Sequence, residues 1–230
     1  MTSHPSPPAL VLASASAGRL RLLRDAGFEP EVQVSGVDET TRDSLDTASI
    51  VAQLAERKAA AVAATRTDAL VLGCDSMLDF EHRAYGKPAS AEHALRLWRR
   101  LSGRHATLLT GHCLIDTGRD LRASGVARTV VRFGTPTEAE LAAYVGTGEP
   151  MQVAGAFSID GFAAPFIDGV DGDASNVVGL SLPLLRRLLA DLGLAITDLW
   201  RPLSDGLPYA GRETAPAGGV AEGTVGPTRP

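Results

Sequence analysis

Apolar and polar positions switch between two periods along the chain, and the switches mark the elements. Residues 10–13, Leu-Val-Leu-Ala, form a continuous apolar run that reads as a buried first strand. Helical spacing follows over residues 17–26, with Gly27 as the stop. A short strand is predicted at 31–35, before the acidic turn Val37-Asp38-Glu39. Residues 49–64 carry a strong helical pattern, and residues 69–74 are again a continuous apolar strand. Ser90 is placed as the N-cap of a helix with Ala94, Leu95, Trp98 and Leu101 on one face, ended by Gly103. Long strands are predicted at 105–115 and 128–133, with Thr117-Gly118-Arg119 in the turn region between them. Thr137 to Glu140 has the form of a capping box. Ser181-Leu182-Pro183 opens a last helix, in which Leu185, Leu188, Leu189 and Leu192 repeat up to Gly193. The fold class expected is α/β, a mixed sheet flanked by helices, partly antiparallel because neighbouring long strands share a short turn.

The two ends stand apart from this pattern. Residues 1–8 are a Pro- and Ser-rich lead-in, and residues 208–230 are small, polar and turn-prone, as expected of a disordered tail. The folded domain is therefore placed at 9–207. Residues 9–15 imitate the apolar part and cleavage site of a secretory signal, but the run is too short and only His4 precedes it as a basic group. No apolar run approaches the roughly 20 residues of a membrane-spanning helix, so no membrane is expected as a partner.

Composition narrows the function classes. A net charge of −5 argues against a nucleic-acid polymer as partner. Aromatic residues are only 5%, which leaves little for a base-stacking surface. Cys74 and Cys113 are the two cysteines, too few for a disulfide scaffold or a cysteine zinc site, and both fall in predicted strands as small buried hydrophobes. The five histidines show no metal-binding spacing. Gly169 to Asp173 lacks the ligand series of a calcium loop. What remains is an acidic cytoplasmic enzyme or binding domain.

Several residues resist a purely structural reading. Lys58 falls on the apolar stripe Val51, Leu54, Ala55, Val62 of its helix. It reads either as a lysine snorkelling from the stripe's edge or as a semi-buried cation kept for an anionic ligand. Asp75 directly follows the apolar strand 69–74, where α/β folds place a base or metal ligand, although a turn or cap aspartate fits as well. Lys87 sits in the stiff loop Gly86-Lys87-Pro88, which is not a P-loop. Ser14 and Ser16, with Gly18 and Arg19 behind them, offer hydroxyls, a guanidinium and free backbone N–H groups at a helix start. Three cations (Arg19, Lys58, Lys87) with two acids (Glu39, Asp75) suit a polyphosphate carrying a divalent ion.

The order of motifs then resembles a known family. Leu12-Ala13-Ser14-Ala15-Ser16, Gly36-Val37-Asp38-Glu39, Ala55-Glu56-Arg57-Lys58-Ala59, Gly73-Cys74-Asp75-Ser76 and Gly86-Lys87-Pro88 occur in sequence. They are followed by Leu101 to His105, Leu109-Thr110-Gly111, Gly148-Glu149-Pro150, Ala154 to Phe157 and Gly172 to Leu180. This strongly resembles the Maf family of nucleoside triphosphate pyrophosphatases, over residues 10–194. The resemblance implies a two-lobed fold with a central cleft, like that of the inosine triphosphate pyrophosphatases. It implies hydrolysis of a nucleoside triphosphate to monophosphate and pyrophosphate, with Mg2+ or Mn2+. By the same resemblance Asp75, Lys58 and Lys87 are catalytic, and Asp75 with Glu39 holds the metal. Ser14, Ser16, Gly18, Arg19, Ser76 and Asp160 bind substrate.

Three positions depart from the family's pattern, and all three are associated with base selection. Gly18 stands for an arginine, Ser76 for a threonine, and Asp160 for the glutamine of pyrimidine-preferring members. An ionised carboxylate at 160 accepts hydrogen bonds only, so a guanine-type base, with adjacent N1–H and N2–H donors, is expected to be preferred over UTP and dTTP. The alternatives are a non-catalytic nucleotide-binding regulator of cell division and a nucleotidyltransferase; the joint presence of Glu39 and Asp75 favours the hydrolase. A homodimer is compatible with everything above.

Overall fold

The computed structural model describes residues 8–40 and 46–200. Most of the lead-in, residues 201–207 of the placed domain and the tail 208–230 lie outside the described residues. The chain runs β1 (Ala9–Leu12), α1 (Ala17–Asp25), β2 (Glu31–Val32), α2 (Thr47–Ala63), β3 (Ala69–Phe80), β4 (Arg83–Tyr85) and α3 (Ala91–Leu101). It continues with β5 (His105–Asp116), β6 (Leu121–Phe133), α4 (Glu138–Gly146), β7 (Ile167–Asp171), α5 (Ala174–Val178) and α6 (Leu182–Asp191). The strands form one seven-stranded mixed sheet in the order β2-β1-β3-β5-β6-β7, with β4 also pairing β3. β2, β1 and β3 are mutually parallel; the remaining pairs are antiparallel.

Local chemistry starts the helices where the sequence places them. Ser16, Asp46, Ser90, Thr137 and Ser181 each accept a hydrogen bond from the backbone N–H three residues on. Thr137 and Glu140 complete the expected capping box.

The strands differ more from expectation. β3 does not stop at Cys74 but runs to Phe80, so Asp75 is a mid-strand residue rather than a strand-end one. Leu78 and Phe80 are buried beyond it, and β5 pairs the strand from Leu70 to Asp79. β6 likewise starts at Leu121, because a tight turn after Asp116 lets it pair the whole of β5; its first half is mixed and half-exposed, which hid it from the apolar pattern. β4 follows a turn in which Glu81 and His82 both adopt positive φ (53° and 59°) without a glycine to signal it. β7 and α5 are short and polar, and carry no periodic signal.

Strand alternation divides the layers. Leu10, Leu12, Leu70, Leu72, Cys74 and Leu114 pack with α1 and α6 on one face of the sheet. Val11, Ala13, Val71, Cys113 and Ile115 pack with Ala55, Ala59 and Val62 of α2 on the other. A third cluster gathers round Trp98 at the far end of the long strands, with Leu78, Phe80, Phe133, Tyr144 and Phe157.

Helix α2 lies unusually close to the sheet, and two glycines make room for it. A Cβ on Gly73 would sit 2.3 Å from the Ala55 carbonyl oxygen, and one on Gly111 would sit 2.1 Å from that of Val51. These atoms are backbone, so the helix itself would have to move. Gly73→Ala and Gly111→Ala are each expected to cost about 1–3 kcal/mol through overpacking, read as a lower denaturation midpoint in urea.

His112 is buried in β5 on the opposite face, and its tautomer follows from its partners. Its Nε2 accepts the Ser181 N–H at 2.9 Å, so the proton sits on Nδ1, which donates to the Thr110 carbonyl at 3.0 Å. Burial pushes the imidazole down to about 4. An unfolded histidine takes a proton near 6.5, so as pH falls from there to about 4 the unfolded chain binds a proton that the native one refuses. Stability present above pH ~6.5 is thus lost on acidification, by up to about 3 kcal/mol. Thermal unfolding between about pH 7 and pH 5 should show a shallower loss in His112→Asn than in the parent chain.

Candidate active site

One edge of β3 is shared by two strands that do not meet. β1 pairs Ala69 to Leu72, β4 pairs Leu78 to Phe80, and among the described residues no strand covers residues 73–77 on that edge. Neighbouring strands that part in this way leave an opening in the sheet where α/β proteins take ligands. Asp75 and Ser76 lie in it. Residues 13–16 leave β1 at one side, and the antiparallel course of β4 (Leu78 opposite Tyr85) brings the chain back toward it before Gly86 and Lys87.

Alternation sends the two residues of the opening to opposite faces. Asp75 follows Val71 and Gly73 toward α2, where Lys58 comes one turn after Ala55. The Lys58 ammonium donates to Asp75 Oδ1 at 2.6 Å and forms an ion pair with Glu39 Oε1 at 2.7 Å. Lys58 and Asp75 are both buried, whereas Glu39 is largely exposed. The stripe position of Lys58 therefore ends in an ion pair, not in solvent. Burial pushes the Asp75 carboxyl above the usual carboxylate range; Lys58 and Arg19 oppose that shift, and Glu39 adds to it.

Ser76 points to the other face and meets α1. Arg19, also buried, donates from Nη2 to Ser76 Oγ at 2.9 Å, from Nη1 to Ser14 Oγ at 3.1 Å, and from Nε to the Gly179 carbonyl at 2.7 Å. Ser16 caps α1 by accepting from the Arg19 N–H. Ser76 also shares a hydrogen bond of 2.9 Å with Thr110. Thr110 and Gly179 are components that residue-type reasoning missed. A carbonyl carries no residue-type signal, and Thr110 reads simply as a strand threonine.

Two sequence-predicted residues lie differently. Lys87 is exposed and makes no hydrogen bond or ion pair with Asp75, Lys58 or Arg19 among the described residues. Asp160 is not a free acceptor: Oδ2 pairs with Arg21 of α1, and Oδ1 accepts from Ser158. Gly18 lies one turn before Arg21 and borders Val178, where a Cβ would make ordinary contact. The loop after Asp160 is pinned by Glu149, whose carboxylate accepts from the Phe162 and Ala163 N–H groups.

Among the described residues no cluster of three or more His, Cys, Asp or Glu could enclose a metal. Glu39 and Asp75 nevertheless converge on a single ammonium. Two carboxylates are what a Mg2+ site takes from protein when substrate phosphates and water supply the other oxygens. The donor set thus fits a substrate-borne ion rather than a caged one.

Comparison with known proteins agrees with the motif order. A chain from Streptomyces coelicolor named nucleoside triphosphate pyrophosphatase is 59% identical over 198 residues, 85% of this chain and 96% of its own length. One of the same name from Salinispora tropica is 47% identical over 215 residues, covering 91% and 95%. A third, from Rhodococcus erythropolis, is 48% identical over 208 residues, covering 85% and 98%. The model of the Maf-like proteins matches residues 9–192, which takes in every element from β1 to α6 and the opening between β1 and β4, so the chain belongs to the Maf-like protein family.

Proposed function

We propose that this protein hydrolyses a nucleoside triphosphate at the α-phosphorus, giving the monophosphate and pyrophosphate. The observation that carries the reading is the buried Lys58–Asp75 pair, with Glu39 on the same ammonium, in the opening of the sheet. A water oxygen bonds to the α-phosphorus as the bond to the α,β-bridging oxygen breaks, and pyrophosphate leaves with that oxygen. The water proton passes to the Asp75 carboxylate, which burial has made more basic. Lys58, Arg19 and Lys87 neutralise phosphate oxygens. A bound Mg2+ or Mn2+, held by Glu39 and Asp75, would polarise the phosphoryl group. Ser14, Ser16 and Ser76 contribute hydroxyls to the substrate, as well as holding Arg19.

The reading includes a two-lobed, inosine triphosphate pyrophosphatase-like fold with the reaction between the lobes. The separation of the Trp98 cluster from the two clusters at the other end of β3 supports it. A cytoplasmic setting, in which Cys74 and Cys113 stay thiols, suits their burial. No described helix is long and apolar enough to cross a membrane.

Incubation of the full chain with single nucleotides and a divalent ion tests the reaction. Equimolar pyrophosphate and monophosphate are expected; nucleotide transfer, or binding without turnover, would overturn the reading. Asp75→Asn should lower kcat by about 10²-fold or more with no loss in Tm, since Lys58 keeps Glu39. Sequence alone suggests that Lys58→Met spares or raises Tm. The Asp75 contact reverses that expectation: the variant leaves a buried carboxylate without its partner and should cost up to about 3 kcal/mol at neutral pH. Adding Asp75→Asn to it should recover most of the loss.

The Arg21 contact also bears on the base. With both Asp160 oxygens engaged, the guanine preference expected from a free carboxylate should be muted in the parent chain. Arg21→Met releases Oδ2 and should shift the kcat/KM ratio for GTP over UTP upward by about tenfold, in keeping with ~1–3 kcal/mol for one polar contact to the base. An unchanged ratio in both Arg21→Met and Asp160→Gln would remove Asp160 from base selection.

A further inference from the structure

A groove of about 470 Å³ lies along the β4–α3 connection, and five of the ten residues that line it are basic. On α3, His93, Arg96 and Arg100 follow one another at helical spacing along one face. Arg83 and Lys87 face them from β4 and the loop after it, with Tyr85, Pro88 and Leu97 supplying the uncharged surface between. No acidic side chain lines the groove. Glu81 lies beside it and is engaged by Arg100 and Arg104; Glu92 sits 3.6 Å from Arg96 in an exposed i,i+4 pair. Arg83 and Lys87 have no ion-pair partner among the described residues.

Arg100 is held in place rather than merely exposed. It donates to Tyr85 Oη at 2.8 Å, and its guanidinium lies over the Phe80 and Tyr85 rings at 5.3 and 5.8 Å. Arg83 and Lys87 have no acid beside them among the described residues, and the partners of Arg96 and Arg100 lie outside the groove. The repulsion between like charges round the concavity is therefore only partly offset, in a molecule whose net charge is −5. A neutral or cationic ligand would do nothing to relieve that repulsion. A compact anion of several charges would, and the arginine forks match phosphate oxygens two at a time. The volume is in the range of pockets that take ligands of nucleotide size.

We propose that this groove is a second binding site, outside the opening in the sheet, for a polyphosphate anion: inorganic pyrophosphate or the phosphate chain of a second nucleotide. The site stands on the charge and shape of the groove and does not require the hydrolysis proposed above. Lys87, at its rim, is the one residue common to both sites.

The test is calorimetric titration of inorganic pyrophosphate into the full-length protein without divalent ion, at low and at high salt. A parallel titration uses a nucleotide with a methylene group bridging the α- and β-phosphorus. The variants are Arg83→Ala/Arg96→Ala and, to keep the charge, Arg83→Lys/Arg96→Lys. Both positions are exposed, so both variants should fold. One binding event is expected to weaken about tenfold or more in the alanine pair, to survive in the lysine pair, and to fall steeply with salt. The probe that binds more tightly through Arg83 and Arg96 identifies the source of the anion. Steady-state turnover at saturating nucleotide should stay within about twofold in both variants. Unchanged affinity and stoichiometry in the alanine pair would overturn the site. A fall in kcat parallel to the loss of binding would overturn its separateness, placing Arg83 and Arg96 in the reaction site. Product analysis of the parent chain decides the hydrolysis independently of either result.

Discussion

The candidate site depends on how closely α2 can approach the sheet. Gly73, two residues before Asp75 on β3, and Gly111, opposite Asp75 on β5, remove the two Cβ atoms that would hold the helix away. The helix backbone therefore settles against the strands, and Lys58 reaches Asp75 at 2.6 Å without leaving the apolar face it shares with Ala55 and Ala59. A helix displaced outward by a methyl group would loosen that contact, because a buried ion pair gains from its short distance and loses desolvation energy regardless. Two glycines with no chemistry of their own thus set the geometry of the charged pair.

The second organising fact is that β3 belongs to two neighbourhoods at once. Its first residues lie between parallel β1 and antiparallel β5; its last ones lie between β5 and β4, with which they form a hairpin. Between them no strand among the described residues covers its edge. Side chains there alternate between faces, so a carboxylate goes to one helix and a hydroxyl to the other. The two carboxylates and the ammonium thereby collect on the α2 side, and guanidinium and hydroxyl groups on the α1 side.

Helix α1 ties the second half of the chain to the first. Arg19 reaches Gly179 and Ser76, and Arg21 reaches Asp160, so a single turn of one short helix engages both the buried hydroxyl network and the exposed loop that Glu149 pins. Charges on that loop are screened and inexpensive to rearrange, whereas those of Arg19 are buried among fixed partners. Substitution is easier to accommodate at the first place than at the second.

What the sequence by itself determined is local. Helix starts at Ser16, Ser90, Thr137 and Ser181 were readable because a cap and its N–H lie three residues apart. Lys58 was readable as an anomaly because helical period alone puts it among apolar neighbours, and the list of cations and acids came from residue type. The tertiary structure decided which of them meet. Lys58 and Asp75 are 17 residues apart, Arg19 and Ser76 are 57, and Arg21 and Asp160 are 139. The continuation of β3 past Asp75, and the stretch of its edge that no described strand covers, depend on which strands lie alongside, and the engagement of Asp160 depends on where α1 brings Arg21. Periodicity reports the face a residue takes on its own element. The partner waiting on that face is set by packing between elements distant in the chain, where no spacing rule operates.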